Sequence, residues 1–217
     1  MATRGRPRAF DRDAALERAM HVFWERGYEA TTMADLTAAM GIRPPSLYAA
    51  FGSKEGLFRE AVALYGRTEG ARTRRALSEA PTAREGVRQA LRGNACAYTA
   101  AGKPAGCMVV LAATNCTPEN DGVRALLAED RRVMEGRIRE RMDRGVAEGD
   151  LPDGADTRAL AAFYATVLFG LSVQARDGVP RQDLLGVVEA AMAGWDTLTA
   201  TGTAPATEPV PGRGSTP

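Results

Sequence analysis

Few residues of this chain have the types and the spacing that covalent catalysis needs. The single histidine, His21, lies beside the apolar stripe of a predicted first helix, and no serine or cysteine has an evident base near it in the sequence. Walker loops, GxGxxG motifs and histidine-containing metal clusters are absent from the 217 residues. An active site built on carboxylates alone would leave no such motif, but no residue pattern in the sequence indicates such a site. We therefore predict a protein that is not an enzyme, requires no cofactor and holds no metal.

The three cysteines are the remaining groups with covalent or metal-binding chemistry. Cys96, Cys107 and Cys116 lack CxxC spacing, and the charged first 20 residues show no export signal, so we expect reduced thiols and a cytoplasmic location. Cys107 follows Pro-Ala-Gly at a predicted helix N-terminus, where the positive end of the helix favours a thiolate. It is the candidate for a redox-reactive thiol or a copper ligand. The alternative is a buried, inert thiol.

Nucleic-acid binding is the second chemistry to consider, and the charge distribution restricts where it could occur. The net charge is only +1, so an overall basic field does not favour a polyanionic partner. The start of the chain differs, because Arg4, Arg6 and Arg8 precede the first acid, Asp11. The RGRPR segment suits a DNA minor groove, since glycine permits close approach and arginine seeks its negative potential. The alternative is a disordered, solubilising arm.

The composition and the apolar periodicity predict an all-α protein. No segment alternates as a strand would, and apolar residues recur at helical spacing along the chain. A first helix is capped by Asp11 or Asp13 and ended by Gly27. A second begins at Thr32 and is ended by Gly41, with an acid three residues after the threonine as in a capping box.

The stretch PPSLYAAF predicts a third, short helix. Pro44 and Pro45 fall in its first turn, where a missing N–H costs nothing and a fixed φ helps to start the helix. Leu47 and Phe51, four residues apart, form its inward stripe. Gly52 ends it, and a serine caps the next helix. Three short helices with a tight corner between the second and third indicate a helix-turn-helix unit, with a shared core of Phe23, Leu36, Ile42, Leu47, Phe51 and Phe58.

Longer helices follow this N-terminal unit. They are predicted at 83–101, 107–115, 119–147, 156–176 and 181–198, and the apolar run 160–173 is too short to span a membrane. The segment from residue 201 on is predicted to be disordered, because it lacks bulky apolar residues. We divide the chain into a basic arm (1–9), a helix-turn-helix domain (10–56), a helical ligand-binding and dimerisation domain (57–199) and a tail (200–217).

The segment RGYEATTMADLTAAMGIRPPSLYAAFGSKEGLF resembles the DNA-binding head of the TetR family of bacterial transcriptional regulators, over about residues 10–65. RGRPRAFDRDAALERAMHVFWERGYEAT, PAGCMVV and GLSVQARDG together resemble the subgroup that contains the copper-linked regulator ComR. The resemblance implies a three-helix DNA-binding head on a helical ligand-binding and dimerisation body. Many family members carry bulkier residues in place of Ala49 and Ala50.

The predicted DNA contacts centre on the start of the third helix. If it enters a major groove, its first residues lie nearest the base edges, and Arg43 could pair with guanine for about 1–3 kcal/mol of discrimination. A solvated loop arginine is the alternative. The resemblance implies that Tyr48 presents its hydroxyl to a phosphate. The full set of predicted DNA-binding residues is Arg4, Arg6, Thr32, Arg43, Pro44, Pro45, Ser46, Tyr48 and Lys54.

The partners follow from the same reasoning. Specific DNA sites are usually read by paired heads, so we expect a homodimer on a palindromic double-stranded operator. The resemblance implies that the dimer contact lies on the last two long helices. An unknown small-molecule effector would occupy a cavity in the body, and no membrane partner is expected. Cavity walls, each with ordinary core packing as the alternative, are predicted from Cys107, Met108, Leu111, Met134, Tyr164 and Phe169.

Three alternatives to a ligand-responsive repressor remain at this point. An activator of the same fold would have the same sequence features. A redox or copper sensor would act through Cys107. A helical interaction protein would have a head that no longer binds DNA.

Overall fold

The computed structural model describes residues 10–200, which are all-α with no strand, as predicted. The arm with Arg4 and Arg6, and the predicted tail from residue 201, lie outside the described residues. A 3-10 turn at Pro118–Asn120 precedes the longest helix. The α-helices are α1 (Arg12–Ala30), α2 (Met33–Met40), α3 (Pro44–Phe51), α4 (Lys54–Arg67), α5 (Ala71–Glu79), α6 (Ala83–Tyr98), α7 (Met108–Leu111), α8 (Asp121–Glu148), α9 (Thr157–Arg176), α10 (Arg181–Ala193) and α11 (Trp195–Thr199).

The ends of the first helices follow the local chemistry of their caps. Asp11 caps α1, and its carboxylate accepts from the N–H of Ala14. Gly27, which was predicted to end α1, instead interrupts it: its φ of 79° and ψ of 171° produce a kink, and the helix continues to Ala30. Thr32 caps α2 in the predicted capping box, and Gly41 closes α2 in the left-handed region.

In the N-terminal core, five of the six predicted residues are buried, and Ile42 is partly buried against them. Phe58 packs edge-on to Phe23 and to Tyr28, with ring centroids 5.0 Å apart in both pairs. The same core includes Met108 of α7 and the first turns of α8. The three-helix N-terminal unit therefore shares its core with two of the later helices.

The body differs from the sequence-based expectation at three places. Helix α5 was not predicted, because its only large apolar residue is Leu77 and it packs mainly on α6. The helix expected at 107–115 is reduced to the four residues of α7. The last expected helix divides into α10 and α11 at Gly194. A second core joins α6, α8, α9 and α10.

Helix α9 is long and apolar enough to cross a membrane by length and composition alone, with 44% of the relevant window buried inside the protein. Leu160, Leu168 and Leu171 of this helix pack into the second core. Burial of this kind is the property of a core helix.

Candidate DNA-binding face and effector cavity

Helix α3 presents one face to the core and its opposite face to solvent. Leu47 and Phe51 are buried, as the four-residue spacing predicted. The exposed side of α3 and of the residue before it consists of Arg43, Pro44, Pro45, Tyr48 and Ala49, with Ser46 half-buried. The predicted base-reading residues therefore share one accessible surface.

Arg43 and Tyr48 are the two side chains of this face best suited to contact DNA. Arg43 is the N-cap residue of α3, and its carbonyl accepts from Leu47 while its exposed side chain makes no cap hydrogen bond. Tyr48 is 50% exposed one turn further on. A guanidinium and a phenol are thus both available to a groove and its flanking phosphates.

Thr32 has a different local role from the residues of α3. Its hydroxyl donates to Asp35 and accepts from the backbone N–H of Asp35. Hydrogen bonds from Thr32 and from Arg26 lower the pKa of the Asp35 carboxyl to about 2. Thr32 therefore stabilises α2, and a phosphate contact by its hydroxyl would compete with that cap.

Lys54 is also engaged within the protein. Its ammonium lies 4.2 Å from the centroid of the Tyr28 ring, a cation–π arrangement at the start of α4. Partial burial lowers the pKa of Lys54, and the nearby Glu29 opposes that shift. The ammonium is held in place at a helix N-terminus, where backbone N–H groups also attract phosphate.

A cavity of about 440 Å³ lies in the body, between α4, α5, α6, α8 and α9, with α7 at its inner side. Cys107, Met134 and Phe169 of the predicted walls line it. Met108 and Tyr164 do not, because Met108 is buried in the N-terminal core and Tyr164 in the second core. Leu111 is also outside the lining, with its side chain turned toward Gly106.

The polar part of the cavity wall was not apparent from the sequence. Tyr65 and Tyr98 line the cavity. The pKa of both phenols is raised well above the usual value, mainly because the phenols are buried and to a smaller extent because the Cys107 thiol is close to them. The backbone N–H of Cys107 donates to the hydroxyl of Ser172, 2.8 Å away. These groups come from α4, α6, the start of α7 and α9, so only the tertiary fold brings them together.

Helix α7 and its flanking residues connect the cavity to the head. The indole N–H of Trp24 donates to the carbonyl of Gly106 at 3.1 Å, one residue before Cys107. At the other end of α7, the carbonyl of Ala112 accepts from the N–H of Tyr28. Arg176 of α9 donates to the carbonyl groups of Trp24 and Glu25. Hydrogen bonds therefore join the kinked end of α1 to the residues that flank α7 and to α9.

The outer face of α9 and α10 carries exposed apolar side chains. Phe163, Val173 and Val187 are 40%, 44% and 38% exposed. Most of the other large apolar residues of this part of the chain are buried in the protein's own second core, namely Leu160, Leu168, Leu171, Leu184, Val188, Met192 and Trp195. The exposed set is smaller and lies on the opposite side of the two helices.

Within residues 10–200, no group of three or more His, Cys, Asp or Glu side chains is placed to hold a metal ion. All three cysteines are free thiols, with Cys96 exposed and Cys107 and Cys116 partly buried.

A trihelical head with an exposed, proline-started helix, joined to a helical body with a cavity, defines a DNA-binding regulator of the helix-turn-helix class. Residues 15–61 match the profile "Bacterial regulatory proteins, tetR family", and residues 86–181 match "Tetracyclin repressor-like, C-terminal domain". The chain belongs to the TetR family of transcriptional regulators. This confirms the resemblance and the prediction of a regulator rather than an enzyme.

Relatives and solved structures agree with this assignment. The chain is 32% identical to the HTH-type transcriptional repressor ComR of Escherichia coli over 90% of this chain and 94% of ComR. It is 33% identical to the repressor BdcR of the same organism, over 88% of this chain and 90% of BdcR. A cysteine-substituted TetR family regulator, CifR, complexed with a 26-bp operator, is 59% identical over 88% of this chain and all of that chain, with a TM-score of 0.86.

Proposed function

We propose that the protein is an effector-responsive repressor that binds a palindromic operator as a homodimer in the cytoplasm. The observation that carries the proposal is the accessible face of α3, with Arg43 and Tyr48 free to meet a groove and its phosphates. The relatives ComR and BdcR are named repressors, and the CifR structure contains operator DNA. The exposed apolar face of α9 and α10 supports pairing of two chains.

The response to an effector would pass through α7. A ligand in the cavity contacts residues beside Cys107, while the other end of α7 accepts from Tyr28 in the head. A ligand that binds one arrangement of α7 better than the other shifts the spacing of the paired heads. Heads that no longer match successive major grooves lose affinity for the operator.

The proposal is tested by selecting DNA from a random double-stranded pool with the purified protein and measuring affinity for the recovered sequence. We expect a palindrome, a 2:1 ratio of chains to duplex and a steep fall in affinity with salt, because phosphate contacts release counterions. Replacement of Tyr48 and Lys54 by alanine should abolish binding, whereas replacement of the remote, exposed Arg132 should not. Recovery of no preferred sequence would refute the proposal and favour an interaction protein.

A redox-responsive version of the repressor is favoured by one observation. Cys107 lies at the cavity wall beside the hydroxyls of Tyr65 and Tyr98, so its thiol is within reach of a small oxidant. Peroxide should then weaken operator binding by the wild-type protein but not by the Cys107→Ser variant. Dithiothreitol should restore operator binding by the wild type. Equal sensitivity of both proteins would remove Cys107 from the response.

A further inference from the structure

A shallow groove continues from the mouth of the cavity between α5 and α8, with a volume of about 390 Å³. Four arginines line it, Arg74 from α5 and Arg137, Arg141 and Arg144 from α8, against a single acid, Glu140. Arg74 and Arg137 also line the cavity itself. The cavity and the groove therefore share these two side chains, and we call this place the junction.

Neither arginine at this junction is engaged in an ion pair among the described residues. Within residues 10–200, neither Arg74 nor Arg137 makes an ion pair or a side-chain hydrogen bond, and both are at least partly accessible. Arg144, by contrast, donates to the carbonyl of Ser78 and lies 3.6 Å from the Glu148 carboxylate. Two unengaged guanidinium groups on facing helices can bind one oxyanion from both sides.

Arg141 also lines the groove, but its charge is balanced by two nearby acids. Its side chain is only 1% exposed, with the Asp150 carboxylate 3.2 Å from Nη2 and the Glu148 carboxylate 3.8 Å from Nη1. The same Asp150 oxygen also accepts from the N–H of Ala83, and Nε and Nη1 of Arg141 have no hydrogen-bond partner among the described residues. Both nitrogens are closed to solvent, so Arg141 takes no part in the anion contact proposed below.

The acids at the cavity wall are fewer than the arginines there. Glu69, at the cavity wall, is paired with Lys103. Burial raises the pKa of Asp130, because a carboxylate is less favourable in a partly apolar site, although Arg137 opposes the shift. Glu140 is exposed at the outer end of the groove. Five arginines line the cavity against two acids, Glu69 and Asp130, so an excess of positive charge remains at the cavity wall.

We propose that the cavity and groove together take an amphipathic anion: an apolar body beside Leu168 and Phe169, and a terminal carboxylate or phosphate on Arg74 and Arg137. The lining of the cavity supports the first half, since these two apolar side chains lie among its walls. The unpaired guanidinium groups support the second. This inference names the effector class and rests on the proposed ligand-responsive function.

Three probes share the same apolar chain and differ in their head group: octanoate, octyl phosphate and octan-1-ol. Each is titrated calorimetrically into the full-length protein, so that the contribution of the charged head group to affinity is measured apart from that of the apolar chain. Both anions should bind about tenfold or more tightly than the alcohol, as expected for charge-assisted hydrogen bonds to arginine. Arg137→Gln and Arg74→Gln should each remove most of that preference and leave octanol binding unchanged. Arg132→Gln, an exposed arginine of α8 outside the groove, is the matched control and should behave as wild type.

Octanol binding as tight as octanoate binding, or no binding of either anion at millimolar concentration, would overturn the assignment. An undiminished preference in Arg74→Gln and Arg137→Gln together would also overturn it. Operator affinity is measured separately with and without octanoate. An anion preference that depends on both arginines but leaves operator affinity unchanged would uphold the ligand class and refute only the effector-responsive part of the function.

Discussion

The backbone N–H of Tyr28 donates a hydrogen bond to the carbonyl oxygen of Ala112 across 2.7 Å. This bond joins the end of α1, in the DNA-binding head, to the residue that follows α7, in the body. It forms because Gly27, one residue earlier, bends α1 and releases the Tyr28 N–H from the helical pattern. The kink therefore creates a direct backbone contact between the head and the cavity side of the body.

Gly27→Ala should destabilise the protein. The backbone of Gly27 has φ 79° and ψ 171°, a region that is essentially restricted to glycine, and an added Cβ would lie 3.3 Å from the Ala112 oxygen. We expect the free energy of unfolding, measured by urea denaturation, to fall by about 1–3 kcal/mol. Operator affinity should fall as well, because the strained atoms belong to the contact between head and body.

The control for this prediction is Gly136→Ala in the middle of α8. An added Cβ there would meet nothing within 4 Å, so the substitution should raise stability by about 0.5–1 kcal/mol through helix propensity. Equal effects of the two substitutions would mean that the kink at Gly27 is not required by the fold.

Asp35 should give the head a measurable dependence on acid. Its folded-state pKa of about 2 is below the ordinary value of 3.8, so its contribution to stability is complete above pH 3.8. That contribution is lost as the pH falls through the folded-state pKa. The difference in unfolding free energy between wild type and Asp35→Asn should therefore be constant above about pH 5 and shrink toward pH 2. A difference that does not change over this range would contradict the capping role of Asp35.

The parts of this molecule that the sequence predicted depend on local chemistry. Thr32 and Asp35 form a capping box, and Pro44 starts α3, because each effect needs only neighbours within one helical turn. Tyr65 and Tyr98 could not be assigned to the cavity in this way, since α4 and α6 bring them to Cys107 only in the complete fold. Sequence patterns show which residues lie on the same face of one helix. They do not show which distant helices pack together.

The groove arginines show the same limit. Arg137, Arg141 and Arg144 recur at helical spacing along α8, which by itself suggests a solvated face. Their significance depends on Arg74, which comes from α5, the helix that the sequence did not predict. A charged helix with one large apolar residue has too little periodicity to be recognised before its partner is known.

Phe163→Glu should convert the protein toward a monomer. Phe163 is 40% exposed on the outer face of α9, where we expect the homodimer contact, and a carboxylate placed there would have to be desolvated. The dimer dissociation constant, measured by sedimentation equilibrium, should rise by about tenfold or more, and operator affinity should fall with it. Ala125→Glu, at an exposed position of α8, is the control. A dimer as stable as wild type would place the interface elsewhere.

Arg43→Ala should relax sequence specificity at one position of each operator half-site. The Arg43 side chain is exposed at the N-cap of α3 and makes no cap hydrogen bond, so its removal leaves the fold intact. Loss of a bidentate contact to guanine should cost about 1–3 kcal/mol on the preferred base and little on the other bases. Fluorescence anisotropy with the selected operator and its single-base variants measures this difference. A uniform loss across all base variants would instead assign Arg43 to a phosphate, because backbone contacts carry no base preference.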